Sequence, residues 1–371
     1  MSSVDINDIR TPSQFKGISF SKYKKTEVKK QFVDNMMKGK IEPACNWCAE
    51  LICAGHFEDV WESIFYFVGK HIHIGNPKIV VYLDKRYNVF RNIVNQGHFS
   101  SEVQLRNNST IRCLFAEVIT IITMSVKRTS FEPVRINRAE EFDMTQMTER
   151  LKAPNVKFAE PIIHAEDPKE LFIAINEFAF NIGGERPNML QACYWLEWVI
   201  EFDIVCRKRK EPCMCKRRKL DVENKFQRDI IWIIWDALVY YSEQLKPKNP
   251  FIETVMLSIK SLFCSRYTTG ASKRRKYLLY FAIELLTETV PMNVDMMSPQ
   301  CKDVIQNVTS KIDLVYKQIK KNEDSPNTDY LFSNIESQNN LENSIKRMDM
   351  MNSMDFVPRQ GTYGSPNPSL T

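Results

Sequence analysis

Apolar positions recur at helical spacing along most of this chain. From Thr26 onward, Val28, Phe32, Val33 and Met36 fall on one face, while Lys29 and Lys30 fall on the other. That pattern predicts an amphipathic helix. A second helix is expected from about Glu42, with Pro43 in its first turn, where proline is tolerated. Its stripe is Ala44, Trp47, Cys48, Leu51 and Ile52, the i, i+3, i+4, i+7, i+8 set of one buried face, and Gly55 is placed to end it. A third helix runs from about Glu58 to Lys70 with Trp61, Ile64, Phe65 and Val68. Asn76-Pro77 opens a fourth, with Val80, Leu83 and Tyr87, and a fifth covers roughly Thr110 to Val126.

The period then lapses. From about Arg128 to Glu166 the chain holds Pro133, Pro154 and Pro161 and reads as a linker, with a short helix allowed over Glu140 to Leu151. Asp167-Pro168 resumes the helical pattern as an N-cap followed by a first-turn proline, and Leu171, Ile175, Phe178 and Ala179 supply the stripe. Further helices are expected over Ile231 to Tyr241, from Asn249-Pro250, and around Phe281 to Leu285.

Two stretches of this pattern match each other. "PACNWCAELI" (Pro43 to Ile52) and "QACYWLEWVI" (Gln191 to Ile200) share Ala, Cys, Trp and Ile in register. In the same order, Asp59-Val60 is answered by Asp229-Ile230, Asn76-Pro77 by Asn249-Pro250, and Phe115-Ala116 by Phe281-Ala282. The offsets are 148, 170, 173 and 166, so they jump once, where the second half carries an extra basic loop. Four matches in one order imply a tandem duplication of a five-helix module. The expected fold is therefore all-α. Its parts are a flexible N-terminus (1–25), module 1 (26–127), the linker (128–166), module 2 (167–292) with a basic insert at 206–222, a C-terminal helical segment (293–321), and a disordered tail (322–371). Within the tail, Ile345 to Pro358 is a candidate anchor for a partner.

Composition narrows the class. Of 371 residues only 11 are glycine, which argues against many tight turns between short strands. Hydrophobic content of 43%, charged content of 26% and a mean hydropathy of −0.34 are those of a soluble globular chain. Neither a signal peptide nor a membrane span is read from the sequence; the run Ile230 to Tyr241 is too short to cross a bilayer and contains Asp236. Ten cysteines without a secretion signal read as reduced thiols, which places the chain in the cytoplasm with the nucleus as the alternative. A net charge of +6 is too small to imply nucleic acid by itself, so any such preference must come from local patches.

Ala44, Trp47, Ala49, Glu50, Leu51, Gly55, Ile74-Gly75 and Asn76-Pro77 fall in an order that resembles the C-terminal helical domain of the replication-associated recombination ATPases related to clamp loaders (MgsA/RarA). In that family the domain resembles the clamp-loader collar and assembles subunits. The resemblance implies an oligomerising helical module tied to replication or repair. It does not imply ATP hydrolysis, because no G-x-x-x-x-G-K-[ST] occurs in the chain. The stretch "EPACNWCAELICAGH" also resembles an uncharacterised protein family of nucleocytoplasmic large DNA viruses, which implies a host-cytoplasm or virus-factory setting.

Candidate chemistry is sparse. Cys45 and Cys48, with Cys53 and His56 nearby, have a metal-like spacing, but Cys48 lies on the core stripe and aligns with Leu196, so buried structural cysteine is expected. Cys206, Cys213 and Cys215 bracket the basic insert; zinc is the lesser alternative there, since no histidine lies nearby and Cys-x-Cys is an unusual finger spacing. His71 and His73 are expected on different faces of a helix end, capping it or solvated. No Ser/His/Asp or Cys/His grouping stands out, so no enzyme, catalytic residue, metal or cofactor is expected.

The basic segments are the strongest functional signal. Arg207, Lys208, Arg209, Lys210, Lys216, Arg217, Arg218 and Lys219 place eight cations within thirteen residues. Lys273, Arg274, Arg275 and Lys276 form a second cluster. They are candidates for sequence-tolerant phosphate contact, against the plainer readings of a solvated loop or an import-like signal. The sequence thus points to a non-enzymatic helical scaffold. It would associate with itself or with replication or repair proteins and touch DNA through the loop. The alternative is a structural virion or virus-factory component that acts through protein contacts alone.

Overall fold

The computed structural model describes residues 4–97, 102–137, 148–245, 247, 249–290, 295–324 and 348. The architecture is all-α. Among the described residues there is no strand, only isolated bridges between Ile18 and Lys24 and between Met214 and Asp229. The longer helices are α1 (Lys25–Met37), α2 (Ile41–Cys53), α3 (Phe57–Phe67), α4 (Lys78–Gln96), α5 (Ser109–Met124), α6 (Phe172–Gly183), α7 (Met189–Lys208), α8 (Ile231–Leu245), α9 (Pro250–Cys264), α10 (Lys276–Thr287) and α11 (Pro299–Lys320), and a single α-helical turn, Ala271–Arg274, precedes α10. Among the described residues no helix is long and apolar enough to cross a membrane.

Two compact units result. The first comprises Met1–Val60, Gln96–Met124 and Met297–Thr371; the second comprises Trp61–Asn95 and Ser125–Met296. This division cuts across the repeat. In the first set of five helices, α1, α2 and α5 belong to one unit, whereas most of α3 and all but the last residue of α4 belong with the second set. Some packing pairs of the two sets correspond, since α1 lies on α2 as α6 lies on α7 and α5 lies on α2 as α10 lies on α7, but the close packing of α10 on α8 and α9 has no equal between α5 and α3 or α4.

In the first unit α2 is the central helix, and all of its residues are buried. Its stripe explains part of this, since Trp47, Cys48, Leu51 and Ile52 meet α1, α5 and α11. The opposite face carries Glu42, Asn46 and Glu50, which need partners when buried. Glu50 receives hydrogen bonds from the Ser19 and Ser21 hydroxyls and from the Ser21 amide. Those serines sit in the N-terminal segment that was expected to be flexible. Instead Ile6, Phe15, Phe20 and Tyr23 are buried. Arg10 pairs with Asp8 at 2.6 Å and lies over the rings of Phe15 and Phe20 at 4.7 and 4.6 Å. The segment has no helical period, so its packing left no signature in the spacing. Gly55 ends α2 at φ +78°, and a Cβ there would come within 2.9 Å of the Val103 side chain, so conformation and space both require glycine.

In the second unit α10 takes the central place, with Tyr277 through Leu286 all buried against α6, α7, α8, α9 and the π-helical turn Val68–Ile72. A helix apolar on nearly every side is a buried helix, and its one buried acid, Glu284, is bonded to His73 at 2.7 Å. The turn approaches so closely that a Cβ on Gly69 would lie 2.8 Å from the Tyr277 backbone. Asn188 caps α7 by accepting from the Gln191 amide at 3.0 Å, and Asn249 caps α9 with Pro250 at the first helical position.

Two expectations fall mostly outside the described residues, and a third takes a different form. The short helix over 140–151 lies outside the described residues except for a 3₁₀ turn at Thr148–Arg150. The tail beyond Asp324, including most of 345–358, also lies outside them; Met348 alone is described, buried beside Asn46 of α2. Asp167 does not cap α6, because its carboxylate is committed elsewhere, as described next.

Candidate nucleic-acid interface

The basic insert begins inside a helix. Arg207 and Lys208 form the last turn of α7, where cations complement the helix dipole. Arg207 is half-buried and bonded to Asp203, one turn earlier, at 2.8 Å and to Asp229 at 3.0 Å. Beyond α7 the chain is tied down rather than loose. Cys215 is buried, and its amide donates to the Arg228 carbonyl at 2.9 Å; the Arg218 amide donates to the Gln227 carbonyl at 3.0 Å.

Arg218 is the anchor. Its guanidinium donates to both oxygens of Asp167 at 2.6 and 2.8 Å and to Asp236 at 2.8 Å, and it is only 8% exposed. Asp167 also accepts from the amides of His164 and Lys216. Burial pushes the Asp167 carboxyl up, but the Arg218 bonds and the two amide bonds outweigh it and hold the carboxyl below its usual range. The same two carboxylates raise the proton affinity of Arg218 against its burial. This side chain is therefore occupied inside the unit and not available to a phosphate. Arg275, buried as well, is likewise engaged, with Glu62 at 2.7 Å and with the carbonyls of Phe263 and Ser265 at 2.7 and 2.6 Å.

The remaining candidates are closer to water. Lys208, Arg209, Lys210, Arg217 and Lys219 are exposed, and Lys216 is half-exposed near Glu166 at 3.8 Å. Lys273 and Arg274 are also exposed; Lys273 reaches Glu201 of α7 at 3.4 Å, and Arg274 lies 3.8 Å from Glu62. Lys276 is held by Glu197 at 2.7 Å. Because Lys273 contacts position 201 of α7 and Lys208 ends that helix, seven residues further on, the two clusters are separated by about 10 Å of helix axis. The structure thus brings Lys208–Lys210 and Lys273 to the two ends of one half-helix. The sequence reading missed the acids that neutralise Arg207, Arg218, Arg275 and Lys276. Only Asp203, four residues before Arg207, was visible as a pair from spacing.

His71 and His73 are not solvated. His73 lies in the left-handed region at φ +34°, stacks on Phe131 at 4.1 Å, and is bonded to Glu284 at 2.7 Å and the Thr129 carbonyl at 3.1 Å. His71, also buried, is bonded to the Ser130 hydroxyl. Burial, with Lys70, His73 and Lys127 adding positive charge, lowers the His71 pKa from 6.5 to about 4. The unfolded chain therefore takes up this proton first as pH falls. Stability present above pH 6.5 should be lost progressively between pH 6.5 and 4, by roughly 2–4 kcal/mol at 1.36 kcal/mol per unit. His71→Gln should flatten that part of the profile in urea titrations repeated at each pH.

Cys45, Cys48 and Cys53 are buried in α2, and burial pushes their thiols up. His56 turns away from them, with Nε2 at 2.7 Å from the Ile18 carbonyl. Cys206 and Cys213 are half-buried, and burial raises Cys213 to about 11; Cys215 rises to about 12 and its thiol donates to the Asp229 carbonyl. Among the described residues no group of three or more His, Cys, Asp or Glu side chains is disposed to hold a metal.

Compared with protein-family models, curated proteins and solved structures, the chain matches none.

Proposed function

We propose that this chain is a non-enzymatic helical scaffold, associated with viral DNA replication or repair, that contacts nucleic acid through the basic segment after α7. The observation that carries this reading is the exposed set Lys208, Arg209, Lys210, Arg217 and Lys219, with Lys273 and Arg274 on the same unit. An anchored loop holds its outward cations in place, so fewer degrees of freedom are frozen on binding than with a loose one. No base-reading element accompanies them, so the contact is with phosphates and tolerant of sequence. The resemblance to collar domains supports self-association or a replication or repair partner, in the host cytoplasm or virus factory, with the nucleus as the alternative compartment.

The test spares the buried arginines. Replacing Lys208, Arg209, Lys210, Arg217 and Lys219 with alanine should leave the thermal midpoint within about 2 °C, because exposed charges contribute little to stability. Affinity for unrelated duplexes should fall together, and the slope of log K against log salt should flatten by about 0.9 for each phosphate that is no longer neutralised. Unaltered affinity in this variant removes the nucleic-acid role. The second reading is a virion or virus-factory component acting through protein contacts alone.

A further inference from the structure

The ten cysteines differ in how far solvent reaches them. Cys113, Cys206 and Cys213 are half-buried, and the others are buried. Cys113 lies on α5 of the first unit. Cys206 and Cys213 both belong to the end of α7 and the segment that leaves it, and the phosphate-binding reading uses neither.

The backbone folds this segment back onto the helix. The Glu211 amide donates to the Cys206 carbonyl at 3.1 Å, and the Lys210 amide to the Arg207 carbonyl at 3.1 Å. These two bonds end α7 in a Schellman motif, with Lys210 at φ +63° in the left-handed position that glycine usually fills. Pro212 follows, so the chain cannot resume the helix there. A second set of tethers fixes what comes next. Met214 bridges to Asp229, and the Cys215 thiol donates to the Asp229 carbonyl at 3.3 Å. The Asp229 carboxylate in turn accepts from Arg207 at 3.0 Å. Residues on both sides of Cys213 are thus held against the last turn of α7, which contains Cys206. The electrostatics agree: Glu170 and Asp203 act on both thiols, and Cys206 acts on Cys213.

Two thiols in this setting suit a disulfide better than zinc. Zinc needs further ligands, and among the described residues no third donor is disposed to join them. Cys215 does not compete, because it is buried and its thiol is committed to Asp229.

We propose that Cys206 and Cys213 form a thiol–disulfide switch, oxidised by a small-molecule disulfide such as glutathione disulfide, which closes residues 207–212 into a ring. One protein thiolate attacks glutathione disulfide, giving a mixed disulfide and releasing one glutathione. The second attacks the protein sulfur of that mixed disulfide and releases another. Two electrons pass from the protein thiols to glutathione disulfide, and each protein proton ends on a departing glutathione. The ring encloses Arg207, Lys208, Arg209 and Lys210, so oxidation restricts the motion of these cations. Burial raises both thiols, Cys213 to about 11, so the reduced pair gains nothing from a stabilised thiolate and the disulfide resists reduction. The inference does not rest on the phosphate-binding reading.

The full chain incubated with glutathione disulfide, then alkylated and digested, tests this by peptide mass spectrometry. A Cys206–Cys213 link should appear and should vanish with dithiothreitol, while Cys113 gives a mixed disulfide at most. The link should form about tenfold faster for each pH unit between 7 and 8.5, as the thiolate fraction grows. Limited trypsin digestion of the folded chain supplies the second readout. Ring closure should slow cleavage after Lys208, Arg209 and Lys210 by about threefold or more, because cleavage requires local opening. Cys206→Ser and Cys213→Ser should each lose the link and be cleaved at the reduced rate with or without oxidant. Both positions are half-buried, and either variant serves if circular dichroism shows the other unfolded. Absence of the link, a link from either residue to Cys215 instead, or equal cleavage of the oxidised and reduced chains overturns the proposal.

Discussion

Trp195→Ala is expected to destabilise the second unit by about 3–5 kcal/mol, the range for removing a large aromatic side chain from a packed core. Trp195 is fully buried on α7, between Tyr194 and Trp198 at 5.2 and 6.3 Å. Its indole N–H has no hydrogen-bond partner among the described residues, so the effect is one of packing rather than of a polar interaction. Trp47→Ala should cost the first unit a similar amount: Trp47 is 1% exposed on α2 and meets Tyr23 edge-on at 5.9 Å. Urea denaturation followed by far-ultraviolet circular dichroism measures both. A cost below about 1 kcal/mol at either position would mean that the indole is not a core group, and the correspondence of α2 with α7 would weaken.

Arg218→Ala is expected to have an effect of comparable size, about 3–5 kcal/mol at neutral pH, because it leaves the fully buried Asp167 carboxylate without its counter-charge. The pH dependence identifies the mechanism. Folding lowers the Asp167 pKa, so its contribution is complete above the unfolded value near 3.8 and is lost as pH falls toward the folded value. The deficit of the variant should therefore be largest at neutral pH and shrink in acid, where Asp167 takes up a proton in the variant first. Asp167→Asn combined with Arg218→Met should recover much of the stability, since it removes both charges together. A deficit that persists unchanged into acid would show that Arg218 acts through packing of its stem instead.

These two sites also show what the spacing of residues could and could not convey. The stripe on α2, the glycine that ends it, the capping Asn249-Pro250 and the burial of Phe115 and Phe281 were legible, because each follows from neighbours within one or two turns. The division into two units was not, because the boundaries fall inside α3 and near the end of α4 rather than between the two runs of five helices. Arg218 was not. Its partners lie 51 and 18 residues away, so in sequence it is one cation among eight, and only tertiary structure separates it from Lys219 beside it. His71 and His73 were misplaced in the same way, since the residues that enclose them, Ser130, Phe131 and Glu284, come from segments far along the chain. The N-terminal segment packs through scattered aromatics and an Asp8–Arg10 pair, which no period announces.

The most direct test of the phosphate-binding account is a salt titration of the wild-type chain on two duplexes of unrelated sequence. The account predicts similar affinities for both and a log–log slope of roughly −3 to −5, as five exposed cations would give at about 0.9 per phosphate neutralised. Absence of binding at low salt, or a slope near zero, would contradict it.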